Sequence, residues 1–467
     1  MFDAVIVGAG PNGLSAAITL ASAGKRVLVL EANATIGGGA RTAELTLPGV
    51  RHDVCSAVHP LGIASPALSN LPLADHGLLW AHPPVPLAHP LDDGSAGVLV
   101  RDVGETAARL GADGPAWRRT FGSVAAHWDD SARLALQSPL AALRTPISGA
   151  RFGWLALRSA SRLARRFRTP AGRALVAGIG AHTAAPLSTI ATGGVALTLG
   201  AAAHAVGWPV AVGGSGSITD ALAEHLRSLG GEIRTKTTVG AWSDLPEARV
   251  VLFDTDPAAV SAIAGDRLSG RTVRRFRRFR RGPGVFKVDV ALDGPIPWAN
   301  PDCRRAGTIH VGGTFEEIAA AEQAVARGEH PNRPFVISAQ PTVADAGRAP
   351  RGTHVLWAYC HVPAGSQTDM TERIFDQVER FAPGFRDRVV AMNARRPADL
   401  QADNANLVGG DITGGAMSLR GLVARPSLFR PYRAGRGVFI CSSSTPPGAG
   451  VHGMCGWHAA RAALREL

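Results

Sequence analysis

The sequence predicts an α/β fold in two parts, one of them assembled from separated stretches of the chain. Three observations carry this: a strand, glycine turn, helix and strand in succession at 3–30, a second glycine turn leading into a helix at 208–229, and a strand, turn and helix at 437–464. In the opening unit, Asp3 to Val7 is a short apolar run that stops at a glycine, as a buried strand does. Gly8-Ala9-Gly10-Pro11-Asn12-Gly13 follows, and Asn12 to Ala23, small and apolar, reads as a helix stopped by Gly24. Val27 to Leu30 is a second buried strand, closed by Glu31. Between a strand and a helix, that glycine spacing is a dinucleotide-binding device. The first glycine permits a tight turn, the second lets the backbone approach a pyrophosphate, and the third lets the helix pack on the strand. The helix N-terminus adds free N–H groups and partial positive charge. Glu31, 18 residues after Gly13, stands where a ribose hydroxyl would be met.

The stretch after Glu31 separates the cofactors. Ile36-Gly37-Gly38-Gly39-Ala40-Arg41-Thr42 is a second glycine cluster with an arginine. A nicotinamide dinucleotide does not require one there. Flavin phosphates do, because the chain must pass beneath them and a guanidinium can bond them with charge assistance. FAD is therefore the expected cofactor.

Further along, His59 to Pro90 is rich in proline and reads as irregular, and Glu105 to Leu143 carries helical stretches. Arg151 to Arg168 reads as a helix ended by Pro170, with apolar residues among six arginines and no single clean face. After the turn at Trp208 to Ser217 come a helix at Ile218 to Leu229, an alternating strand at Glu232 to Val239 and a buried strand at Arg249 to Phe253. Thr272 to Arg281, arginine-rich, reads as a solvated element or surface patch. Val285 to Leu292 reads as a strand with Lys287 and Asp289 on one face, Glu316 to Arg327 and Thr371 to Phe381 as helices. Gly437 to Cys441 is a buried strand, Ser442 to Gly450 a turn and Val451 to Leu464 a helix. The division this suggests gives 1–60, 205–283 and 405–467 to cofactor binding and 61–204 with 284–404 to substrate binding.

Composition bounds the rest. The 467 residues are 46% hydrophobic, enough for a large core, with no run of about 18 apolar residues to cross a membrane. The first strand begins almost at once, so no signal peptide is expected. The five cysteines are widely spaced without a Cys-x-x-Cys pair, so neither a redox disulfide nor a metal site is expected, and a reducing cytoplasm is the expected compartment. Net charge is +12, almost all arginine, with lysine only at Lys25, Lys236 and Lys287. Scattered arginines without a binding motif exclude a nucleic-acid partner. Peripheral contact with an anionic membrane stays open, and so does the choice between monomer and homodimer.

With these motifs in hand, the chain resembles the flavin amine oxidase and carotenoid (phytoene) desaturase superfamily, and within it the phytoene-dehydrogenase-like proteins of the pyridine nucleotide-disulfide oxidoreductase domain-containing group. The matching stretches are Val5 to Thr42, Trp208 to Thr235, Gly282 to Gly313, Val408 to Leu419 and Val438 to Leu464. The resemblance implies bound FAD, a discontinuous glutathione-reductase-type Rossmann domain and a mixed α+β substrate domain over the flavin. It implies that Gly8, Gly10, Pro11, Asn12 and Gly13 surround the pyrophosphate, and that Glu31 and Ala32 meet the adenosine ribose. Gly38, Arg41 and Thr42 would serve the phosphates and ribitol, and Val239 the adenine through its backbone. Ser56, Val58 and His59 would pass near the isoalloxazine. Val451, His452 and Gly453 would open the last helix beneath the flavin pyrimidine, with Ser444, Gly448 and Met454 as further cofactor contacts. The chain departs from the family at Cys441-Ser442-Ser443-Ser444, where many members carry the acid that binds ribitol. The amine oxidases' aromatic pair has no evident counterpart, since the only tyrosines are Tyr359 and Tyr432, which counts against amine oxidation.

The chemistry expected is dehydrogenation or desaturation of a small apolar substrate by hydride transfer to the flavin, with reoxidation by oxygen or a quinone-type acceptor. A redox-neutral flavin isomerase and a non-catalytic, flavin-stabilised binding protein for prenylated or apolar partners are the alternatives. Lys287, a lysine inside an apolar strand of an arginine-rich chain, is the first catalytic candidate. It falls near the strand lysine that holds a water at the flavin in amine oxidases. His452 is the second, either a base or a hydrogen-bonding contact. Asp411, in a glycine-rich loop, either lines the substrate side or stabilises its own turn.

Overall fold

A computed structural model describes residues 1–138, 148–190, 192–418, 421 and 425–467, with backbone alone at 148–151. Two sheets organise it. The first runs in the order Arg433–Gly435, Val438–Ile440, Ala248–Phe253, Phe2–Val7, Val27–Leu30, Glu232–Arg234. Its inner pairings are parallel, and only the Arg433–Gly435 edge strand runs antiparallel. Parallel strands are covered on both faces and so read as unbroken apolar runs, which is why VLVL and ARVVLF were legible as strands. The second sheet runs Val389–Arg395, Gly284–Leu292, His354–Val362, Val336–Ala339, Ala306–Val311, Val85–Pro90, Ala96–Leu99. It is antiparallel except where Ala306–Val311 meets Val85–Pro90.

The opening helix, Pro11–Ala21, starts on a proline at a position whose N–H would be unbonded in any case. The closing helix, Met454–Ala463, packs along it so tightly that a methyl on Gly456 would lie 1.8 Å from the Asn12 carbonyl oxygen. The two ends of the chain thus form one layer over the first sheet.

Several elements differ from the sequence reading. Val85–Pro90, expected to be irregular, is a fully buried strand. Pro86 is tolerated because pairing with Ala96–Leu99 begins only at Leu87, so its missing N–H interrupts no bond on that side. Pro170 does not end a helix but begins one, Pro170–Ala181, with Thr169 as cap accepting from the Gly172 N–H. The stretch before it divides into Ser148–Ala156 and Ala160–Ala164, the second capped by Ser159. The strand expected at Glu232 to Val239 ends at Arg234, where the chain leaves the sheet edge. The arginine-rich stretch is a helix, Gly270–Arg277, anchored by buried Phe276. The last part of the expected helical run, 139–143, lies outside the described residues.

Candidate cofactor and substrate cleft

A cavity of about 1440 Å³ opens at the carboxyl ends of the parallel strands and continues onto one face of the antiparallel sheet. At the first end the two glycine turns meet. A Cβ on Gly38 would lie 3.2 Å from the Gly10 Cα, and one on Gly13 would lie 2.0 Å from the Gly8 carbonyl oxygen. Gly8, Gly10, Pro11, Asn12 and Gly38 line the cavity, while Gly13 sits behind them where helix and strand touch. Glu31 is buried and lines the cavity beside Ala32. Its two carboxylate oxygens accept from the Ala9 and Asn33 N–H groups, each at 2.9 Å. A carboxylate has about four acceptor positions, so the remaining lone pairs are free for ribose hydroxyls. Val239 lines the same end with Thr237 and Thr238.

Asp254, which the sequence reading did not single out, stands at the centre of this end. It follows the Ala248–Phe253 strand and accepts from the Gly13 N–H at 2.9 Å. A Cβ on Gly10 would lie 2.8 Å from its Oδ2. Burial, with the nearby Glu31 charge, raises its carboxyl to about 7 against the pull of the Gly13 bond. The only sequence signal was an acid at a strand's carboxyl end.

Three expected phosphate and ribitol contacts are placed away from the cavity wall. Arg41 spends its guanidinium on the Gly38 carbonyl (3.1 Å) and the Asp403 carbonyl (3.0 Å). Thr42 bonds Asp53 Oδ1 at 3.2 Å and accepts from the Gly216 N–H at 3.0 Å, so it ties the second glycine cluster to the mid-chain turn. Ser444 is buried behind the wall, and its neighbour Ser443 lines it instead. Local turn geometry claims these side chains, something a linear motif does not report.

Where the cavity leaves the glycine turns, Ser56, Val58 and His59 line it from one side and Val451 and His452 from the other. Among the described residues both His59 ring nitrogens are buried without a partner, and burial lowers the imidazole to about 4, so it is neutral. His452 is likewise held down to about 4 by burial. Its Nδ1 accepts from the Met454 N–H at 3.1 Å, and its carbonyl accepts from the Ser65 hydroxyl. Its imidazole therefore caps the closing helix, whose N-cap Gly453 has φ +67°. Gly448, Gly453 and Met454 shape this turn from behind the wall; a Cβ on Gly448 would lie 2.6 Å from Arg425 Nη1.

The far end is apolar and aromatic. Thr308, Ile337, Ala339, Trp357 and Tyr359 come from the antiparallel sheet, and Val195, Leu199, Trp208 and His182 face them from helices and the loop after them. Trp357 and Tyr359, two apart on one strand, meet edge to face at 5.1 Å. Lys287 is opposite Tyr359 and Asp289 opposite Trp357 in the neighbouring strand, so all four share a face. Lys287 does not line the cavity: its Nζ pairs with Asp289 and lies 5.7 Å from the Trp357 ring centre. His52 Nδ1 is 3.6 Å from the same aspartate. Burial pushes the lysine down and the aspartate up, each opposed by the charge of the other. Asp411 is a turn stabiliser, accepting from the N–H groups of Gly282, Thr413 and Gly415.

Residues 6–71 match the NAD(P)-binding Rossmann-like domain family. The whole chain aligns, at 27% identity and over 94% of the relative's length, with pyridine nucleotide-disulfide oxidoreductase domain-containing protein 2 of Rattus norvegicus. A lycopene-forming phytoene desaturase of Pseudescherichia vulneris is 25% identical over 54% of this chain and 55% of its own. A solved putrescine oxidase double mutant superposes with a TM-score of 0.62 at 18% identity, covering 100% of this chain and 98% of the other. Residues 6–71 thus carry a dinucleotide-binding Rossmann-like domain, the whole chain shares the fold of the putrescine oxidase structure, and the cofactor expected there is FAD. The residues present fit that cofactor: two glycine cradles in contact, a ribose-ready Glu31, and the Asn12 Oδ1 acceptor left without a protein partner at the cavity wall. Among the described residues no helix is long and apolar enough to cross a membrane, and no cluster of three or more His, Cys, Asp or Glu could hold a metal.

Proposed function

We propose that this flavoenzyme dehydrogenates or desaturates an apolar organic substrate, with oxygen or a quinone-type compound as final acceptor. The observation that carries the reading is the continuity of the cleft: the dinucleotide turns and an aromatic, apolar chamber share one cavity wall. When bound, FAD supplies the hydride acceptor. The protein's part is binding, orientation and exclusion of water. Trp208, Leu199, Val195 and Ile337 offer the substrate apolar contact, and Trp357 and Tyr359 wall the chamber on the sheet side. His59 and His452, neutral at the junction, give that region hydrogen-bonding groups without charge.

Lys287 acts in this reading as a positioning residue, holding Asp289 and backing Trp357. The mouth of the chamber carries Trp154 and Leu157, 66% and 59% exposed, with Arg158 over the Trp154 ring and exposed Arg162 and Arg165 nearby in sequence. Apolar and cationic groups together suit an anionic membrane surface from which an apolar substrate would enter.

The test is spectroscopic. Purified protein should carry a flavin chromophore that apolar substrates bleach under anaerobic conditions and that air or a quinone restores. A colourless protein that takes up no FAD sinks the reading. Bleaching that quinone but not air reverses assigns a dehydrogenase rather than an oxidase.

A further inference from the structure

The chamber is not uniformly apolar. Tyr359 is only 7% exposed, and it lines the cavity. Among the described residues its hydroxyl has no hydrogen-bond partner, and it is not enclosed by protein on a side chain that forms the cavity wall. The contrast with Tyr432 is informative. The chain uses fifteen phenylalanines and only two tyrosines, and the Tyr432 hydroxyl donates to the Pro446 carbonyl at 3.1 Å. One tyrosine spends its hydroxyl on the fold, while the other presents it to the chamber.

A second group stands across the same row of the sheet. Tyr359 is opposite Ile337, and Ile337 is opposite His310. His310 Nε2 lies 2.8 Å from Nε2 of His182, which lines the cavity. His310 Nδ1 is enclosed without a partner. An enclosed orphan acceptor costs less than an enclosed orphan N–H, so the favoured tautomer puts the shared proton on His310 Nε2. His182 Nε2 then accepts, and its own proton sits on Nδ1. Among the described residues that nitrogen has no partner, and it is not enclosed by protein on a side chain that lines the cavity. Burial keeps the phenol protonated and holds His182 down to about 3, leaving both groups neutral through the ordinary pH range.

We propose that Tyr359 and His182 recognise a neutral oxygen-bearing group, a carbonyl or a hydroxyl, on an otherwise apolar substrate. A bare hydrocarbon would leave both donors dry and unbonded. A carboxylate would bring a charge that the described cations of this row do not meet, since Lys287 pairs with Asp289 and Arg395, opposite Lys287, with Asp403. A carbonyl or hydroxyl oxygen accepts from either donor, and it fixes which carbon of a featureless chain is presented to the flavin. The proposal rests on the reading of the chamber as the site of an apolar substrate.

The experiment uses FAD-loaded protein and two probes that differ by one carbonyl, octylbenzene and octanophenone, with binding followed by perturbation of the flavin absorbance. Octanophenone should bind about tenfold tighter, as one well-made hydrogen bond gives. Y359F should bring the two affinities to within about threefold by weakening octanophenone alone, with flavin content as the folding control. H182Q should erode the same preference. Equal affinities in the unmodified protein, or an undiminished preference in both variants, overturn the oxygen group and leave the apolar reading standing. Binding of neither probe to flavin-loaded protein overturns both.

Discussion

At the dinucleotide end of the cleft the chain presents backbone, and at the substrate end it presents side chains. The first is built from consecutive residues: Gly8 to Gly13 and Ile36 to Thr42 are turns whose function is the absence of side chains. The second is built from Trp357 and Tyr359 of one strand together with Trp208 and His182, which reach one chamber from stretches far apart in the sequence. The contrast explains why one end was legible as a motif and the other was not. It also locates Lys287. The residue looked like a reactive group because it was a lysine in an apolar strand, but its charge is answered by Asp289 and it stands behind the wall.

Removing that charge is the strongest way to break the comparison. K287M leaves Asp289 buried without its partner and should cost about 3–5 kcal/mol by chemical denaturation. K287M/D289L should recover most of it. If K287M instead folds normally and slows flavin reoxidation by oxygen at equal loading, the lysine belongs to the site and not to the frame.

Next in size is the seam between the chain ends. G456A places a methyl 1.8 Å from the Asn12 carbonyl oxygen, at the first turn of the helix that faces the dinucleotide. It should cost about 1–3 kcal/mol and lower the flavin content of purified protein. Normal flavin content would show that the backbone end tolerates displacement, contrary to its reading as a rigid cradle.

Asp254 sharpens the same end through pH. Its folded value near 7 lies above the 3.8 of an ordinary aspartate, so between those values the folded protein holds a proton that the unfolded chain has released. Stability from this group is therefore full below about 3.8 and falls as pH rises through about 7. D254N should flatten that slope while keeping an acceptor for the Gly13 N–H. It should also strengthen FAD binding at pH 8 relative to pH 6 by about fivefold, the factor that ~1 kcal/mol of like-charge repulsion gives. An unchanged pH slope would show that the carboxyl is not what titrates there.

The smallest effect is expected at the chamber mouth. W154S should weaken partition onto anionic vesicles by about fivefold, as ~1 kcal/mol of lost apolar contact does, with flavin content unaltered. Equal partition would leave Trp154 as an entrance residue without a membrane role.

The opening strands, the fingerprint helix and the closing helix were legible because parallel strands are unbroken apolar runs and glycine turns have few substitutes. The same local logic failed at Pro86 and Pro170. A proline's meaning depends on which neighbour its missing N–H would have faced, and that neighbour is far away in sequence. At Arg41, Thr42 and Ser444 the linear motif gave no sign that the side chains are claimed by Gly38, Asp403, Asp53 and the turn behind the wall.

By itself, the sequence determined the dinucleotide-binding unit at the start of the chain, because backbone approach to phosphate depends on consecutive small residues. Only the tertiary structure decided that Asp254 enters the cradle, that His452 caps a helix, that Lys287 is paired, and that Tyr359 and His182 line one chamber. Those facts depend on which strands lie side by side and which buried groups find partners, and both are settled when the chain closes on itself.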